Sequence, residues 1–101
     1  MKANPLDTFK HEAPELQEAY AGVIDALIKT EGLDAKTKHL IFLAMKVVSD
    51  DQNAVKYHVP MAKAAGASRE EIKDTILLSI TVNGLKGISN YLSEALAIFE
   101  Q

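Results

Sequence analysis

Six consecutive apolar residues, Leu40-Ile41-Phe42-Leu43-Ala44-Met45, set the tightest limit on what this chain can fold into. They lie in a stretch from about Ala35 to Ser49 that opens after Asp34, whose carboxylate can accept a free backbone N–H at a helix start. The run is far too short to span a bilayer. A helix that is apolar on nearly every side has to be covered on nearly every side. With 101 residues in all, the chain has a limited core of its own. Small chains make up that shortfall with disulfides, metals or self-association. There is no cysteine, so association comes first and a metal second.

Helical spacing recurs along most of the chain. Residues 1–13 carry Pro5 and mixed polar residues and read as an N-terminal arm. Pro14 suits the first turn of a helix, where its missing N–H is not needed. Leu16, Tyr20, Val23, Ile24, Leu27 and Ile28 then recur at helical intervals, with Gly32 as a stop. The second helix is the apolar one. A third, capped by Asp50 or Asp51, runs to about Ala65 before Gly66, and Pro60 within it predicts a kink or an irregular first half.

Ser68-Arg69-Glu70-Glu71 reads as a capping box opening a fourth helix that presents Ile72, Ile76, Leu77 and Ile80. The run Thr75 to Val82 is rich in strand-forming residues, but the capping box and the spacing favour helix. After the glycine-punctuated turn Asn83 to Gly87, a last helix presents Ile88, Tyr91, Leu92, Ala95, Leu96 and Phe99. The reading is a single all-α domain over 14–101, a compact bundle of about five helices without a sheet.

Charge narrows the partners. The formal net charge is −3, and no Lys/Arg cluster is dense enough to track phosphates, so nucleic acid is not expected as a partner. No segment reads as a secretory signal or a membrane span, which makes a cytoplasmic protein the default expectation.

Few residues can carry chemistry. The glycines fall at helix ends rather than in a phosphate loop, and there is neither a Gly-x-Ser-x-Gly elbow nor a His-Glu-x-x-His pair. His39, Asp50, Asp51 and His58 remain, with His11 set apart in the arm. His58 shares a helical face with Ala54 and Asp51. A histidine among apolar residues needs a partner for its ring N–H, and a carboxylate can be that partner. The bland alternative is that each histidine is a satisfied side chain and each aspartate a solvated cap.

The stretch Leu33-Asp34-Ala35-Lys36-Thr37-Lys38-His39-Leu40, continuing through Val55-Lys56-Tyr57-His58-Val59 to Ala65-Gly66-Ala67-Ser68-Arg69-Glu70-Glu71-Ile72, resembles the carboxymuconolactone decarboxylase family, which includes the alkylhydroperoxidase D-like proteins. The resemblance covers about Leu33 to Gly87. It implies an all-helical fold assembled as homotrimers or homohexamers, with the helix pair around the histidine forming much of the site and of the intersubunit core. Peroxide-reducing members carry a Cys-x-x-Cys ahead of the histidine and a Glu on the preceding helix. Here the two cysteine positions are Asp51 and Ala54, the Glu position is His39, and His58 alone matches. Thiol–disulfide exchange needs a thiolate and a resolving sulfur, so no thiol peroxidase activity is expected.

Three readings are open. In one, the scaffold persists without its redox centre and function lies in assembly or binding, which three changed site positions out of four favour. In another, the chain is a cofactor-free lyase or isomerase for a small anionic molecule, with His58 as general acid/base and His39 or Asp51 orienting it. The third is a metal-binding module through His39, Asp51 and His58. Arg69, the lone arginine, sits in the capping-box turn, and Lys56 is a poorer carboxylate clamp.

Overall fold

The structure is a computed structural model that describes residues 5–101, and these form two compact units that divide between Gly32 and Leu33. Each unit is helical, and no strand occurs among the described residues. No helix among them is long and apolar enough to cross a membrane.

The first unit is a pair of helices, α1 (Pro5–Glu12) and α2 (Pro14–Lys29). The stretch read as an arm is thus helical over 5–12. Pro5 at its first position and Asp7 in its first turn both suit a helix start. The two helices meet at Ala13, whose N–H donates to the Phe9 carbonyl (2.9 Å) and whose own carbonyl accepts from Gln17 (2.9 Å). Phe9 and Tyr20 meet edge to face with ring centres 6.2 Å apart. Pro14 occupies the first turn of α2 as expected. Its end lies before Gly32: Thr30 turns to an extended conformation and its hydroxyl donates to the Leu27 carbonyl (2.9 Å).

The second unit contains α3 (Ala35–Val48), α4 (Ala54–Ala64), α5 (Arg69–Leu77), the short α6 (Ile80–Asn83), and a π-helical turn (Ile88–Leu92) that leads into α7 (Ser93–Phe99). Two starts are as the residues predict. Asp34 accepts the Thr37 N–H (2.7 Å), and Ser68 and Glu71 close a reciprocal box (3.1 and 2.9 Å). The start of α4 differs: its cap position is Asn53, because Asp50 and Asp51 are engaged elsewhere. The helix then continues through Pro60 to a left-handed Gly66 (φ 102°).

The expected fourth helix is broken at Leu78–Ser79, where the buried Ser79 hydroxyl donates to the Ile76 carbonyl (2.6 Å). Such back-bonding competes with the regular ladder. The break turns the next residues away from the apolar face, so Ile72 and Ile76 are fully buried while Ile80 is 46% exposed.

The core joins Leu43 and Val47 of α3, Val55, Val59 and Ala62 of α4, Ile72 and Ile76 of α5, and Tyr91 and Ala95 near the end. Burial on one side of α3 is complete at Leu43 and Val47, yet Ile41 and Met45 are 42% and 55% exposed. At the C-terminus, Lys63 donates to the Phe99 carbonyl (2.6 Å) and lies 4.7 Å from the Phe99 ring centre.

At Gly87 the segment entering the π turn packs tightly against Val47 of α3 and against Ser79. A Cβ there would collide with Ser79 Oγ and lie 2.9 Å from Val47 Cγ1. Both neighbours are buried, so neither side chain can swing away. The backbone is ordinary right-handed helix (φ −64°), which makes the objection to a side chain purely steric. Gly87→Ala should therefore destabilise the fold by about 1–3 kcal/mol in urea unfolding. Adding Ser79→Ala, which deletes the colliding oxygen, should recover part of that loss; equal stability of Gly87→Ala and wild type would refute the packing account.

Candidate functional site

The site lies where α3 packs on α4. His39, Phe42 and Lys46 fall on one stripe of α3, at intervals of three and four residues. His58 comes from the second turn of α4, and Asp51 from the turn between the helices. The His58 ring packs at an angle on Phe42, with centres 4.6 Å apart, and Lys46 Nζ lies 5.5 Å from the Phe42 ring centre. Lys46 also pairs with Asp51 Oδ2 at 3.2 Å.

His58 is half-buried, and its Nδ1 is fully buried with no hydrogen-bond partner among the described residues. Burial disfavours the imidazolium and pushes its pKa below the usual 6.5. The Lys46 cation adds to this, Asp51 opposes it, and His39 adds a smaller effect in the same sense as Lys46. Two of the residues singled out with it in the sequence, Asp51 and His39, thus act on His58 by their charge. No three histidine or carboxylate side chains among the described residues converge as a metal ion requires. Asp51 is instead held by the Asn53 N–H on Oδ1 (2.9 Å) and by Lys46 on Oδ2, and both keep its carboxyl below the usual range.

Asp50 faces the other way. Its Oδ1 accepts from the Tyr91 hydroxyl (2.6 Å) and Asn90 Nδ2 (3.3 Å), while Oδ2 pairs with Lys86 (3.3 Å). Tyr91, Lys86 and the other contacts lower the Asp50 carboxyl pKa. Burial, and then the bond to Asp50, push the Tyr91 phenol up to about 12.

Lys46 and Phe42 escape a search of the sequence for reactive groups, although their spacing from His39 places them on its stripe. Tyr91 is 41 positions from Asp50, and nothing local in sequence joins the two.

The sequence profile of the Carboxymuconolactone decarboxylase family matches residues 14–97. The chain belongs to that family. A candidate carboxymuconolactone decarboxylase from Burkholderia xenovorans superposes with a TM-score of 0.87 at 26% identity, over 98% of this chain and 77% of that one. A carboxymuconolactone decarboxylase family protein from Legionella pneumophila does so with a TM-score of 0.83 at 32% identity, over 94% of this chain and 84% of its own. In sequence, an uncharacterised protein of Cupriavidus necator is 31% identical over 87 residues, 86% of this chain and 76% of the relative. An uncharacterised protein of Methanocaldococcus jannaschii is 31% identical over 74 residues, 73% of this chain and 69% of the relative. Within this family fold the chain carries no cysteine, so thiol chemistry is closed to it.

The His58 environment makes a pH prediction whose sign is fixed. The folded imidazole binds its proton less tightly than an exposed one, so the unfolded state takes up more protons as pH falls below 6.5. Stability contributed by neutral His58 is full above 6.5 and is lost as pH falls through the folded value. NMR titration should place the His58 midpoint below 6.5, and unfolding free energy should decline below that pH less steeply in His58→Gln. A midpoint at or above 6.5 would contradict the burial argument.

Proposed function

We propose that this chain works as an oligomeric scaffold or binding protein of the carboxymuconolactone decarboxylase family, completed by other copies of itself and free of thiol chemistry. One observation carries the reading: α2 buries none of its residues. Leu16, Tyr20, Val23 and Leu27 are 63%, 52%, 57% and 56% exposed, and Ile28 is 62% exposed. Their spacing of four, three and four residues is that of a helix–helix seam.

Two short helices by themselves hold too little apolar surface to stay folded in water. A seam of this length is therefore built to be covered. Its occupant is a second copy, since the same chain also leaves Ile41 and Met45 of α3 uncovered one turn apart. Assembly as trimers or hexamers is the expected form.

Sedimentation velocity at micromolar concentration should show a closed multiple of the 11.0 kDa chain. Val23→Glu with Leu27→Glu, which places charge in the seam, should shift it to smaller species. A wild-type monomer that remains folded would overturn the proposal.

A second reading, a cofactor-free lyase or isomerase, is favoured by the His58 environment. A half-buried imidazole whose proton affinity is lowered, with a lysine cation close by, suits proton transfer on a small anionic molecule. If so, carboxymuconolactone should be decarboxylated by wild type and not by a folded His58→Ala variant. Equal turnover by the two would remove His58 from the chemistry.

A further inference from the structure

The turn between α3 and α4 has an unusual occupant. Asp50 N–H donates to the Val47 carbonyl (3.0 Å) and Asp51 N–H to the Lys46 carbonyl (3.1 Å). These two bonds close the helix end in which the residue after the cap is left-handed and is most often glycine. Here it is Asp50, with φ 57°, the one non-glycine residue of positive φ among those described. Glycine takes that conformation freely, and aspartate is tolerated there when its side chain is hydrogen-bonded. Both carboxylate oxygens are engaged, by Tyr91 and Asn90 on one and by Lys86 on the other. Asn90 and Tyr91 lie within the π-helical turn, and Lys86 lies two residues before it. Turns of this kind recur at functional sites.

We propose that Tyr91 and Lys86 are positioning residues for His58, acting through Asp50: they lock the Asp50–Asp51 turn and so hold the Asp51 carboxylate on Lys46, which shares the Phe42 ring with His58. The proposal rests on reading His58 as the proton-transfer group. Asp51 is one peptide unit from the locked residue. A rotation at Asp50 would carry it off Lys46 Nζ (3.2 Å) and off the Asn53 N–H (2.9 Å) together. The charged groups acting on His58 are Lys46 and His39 from α3 and Asp51 from the turn. Asp50, Lys86 and Tyr91 are not among them, so what they do to His58 they do by placing its neighbours, of which Asp51 is the one adjoining their turn. Of the three acting charges, Asp51 alone raises the His58 proton affinity.

The experiment follows His58 ring resonances by NMR through a pH titration of the full-length chain. Asp51→Asn is the reference and should lower the midpoint. Tyr91→Phe keeps the buried ring and deletes the hydroxyl, while Asp50→Gly suits the left-handed turn and deletes the carboxylate. Each should lower the midpoint by at least half as much as Asp51→Asn, with cooperative unfolding retained. Asp50→Asn, which keeps an acceptor oxygen for Tyr91, should fall closer to wild type.

If Tyr91→Phe and Asp50→Gly leave the midpoint at the wild-type value while Asp51→Asn moves it, the latch is structural only and the proposal is overturned. It is equally overturned if Asp51→Asn moves nothing, because Asp51 then does not act on His58. Turnover is a separate readout: if a folded His58→Ala variant works as well as wild type, the proton-transfer reading falls, whatever the titrations of the other variants show.

Discussion

The burial of Leu43 and Val47 of α3 with Val55, Val59 and Ala62 of α4 is the constraint on which the rest of the second unit depends. It clamps the two helices together along one face of each. Everything polar at their margin, from His39 to Lys46 on one helix and His58 on the other, is placed by that clamp. Lys46 then reaches Asp51 along the edge of the same interface. The site is thus a by-product of apolar packing, and its electrostatics depend on how far His58 is drawn into the interface.

Helix existence is largely legible in the residues, because apolar periodicity and cap chemistry are local signals. Asp34, Pro14, Gly66 and the Ser68–Glu71 box all do what their chemistry suggests. Where residues and structure part, a competing interaction has won. Asp50 and Asp51 would cap α4 if they were free, but the first is recruited by Tyr91 and the second by Lys46 and the Asn53 N–H. Ser79 interrupts a run that the capping box alone would have continued. The helix over 5–12 is hard to see because eight residues carry too little periodicity to stand out beside a proline.

The candidate site is legible in part, through a family resemblance more than through the residues by themselves. That His39 and Asp51 both act on the His58 proton is something spacing along the chain cannot establish. The resemblance gives no hint of Lys46, whose charge is the second largest influence on His58 after burial. Nor can any local pattern reveal that a core tyrosine also holds a turn 41 residues away. Long-range polar contacts leave no period in a sequence.

Asp50 in a left-handed turn sets two pressures on a single codon against each other. Measured only by resistance to heat or denaturant, glycine is a natural replacement there, since it removes an awkward backbone geometry. Measured by the ordering of the neighbouring carboxylate, the same replacement discards the handle by which a distant helix grips the loop. A glycine at this position would trade the relieved backbone against a buried Tyr91 hydroxyl left without its carboxylate, so unchanged stability in such a variant need not mean an unchanged polar margin.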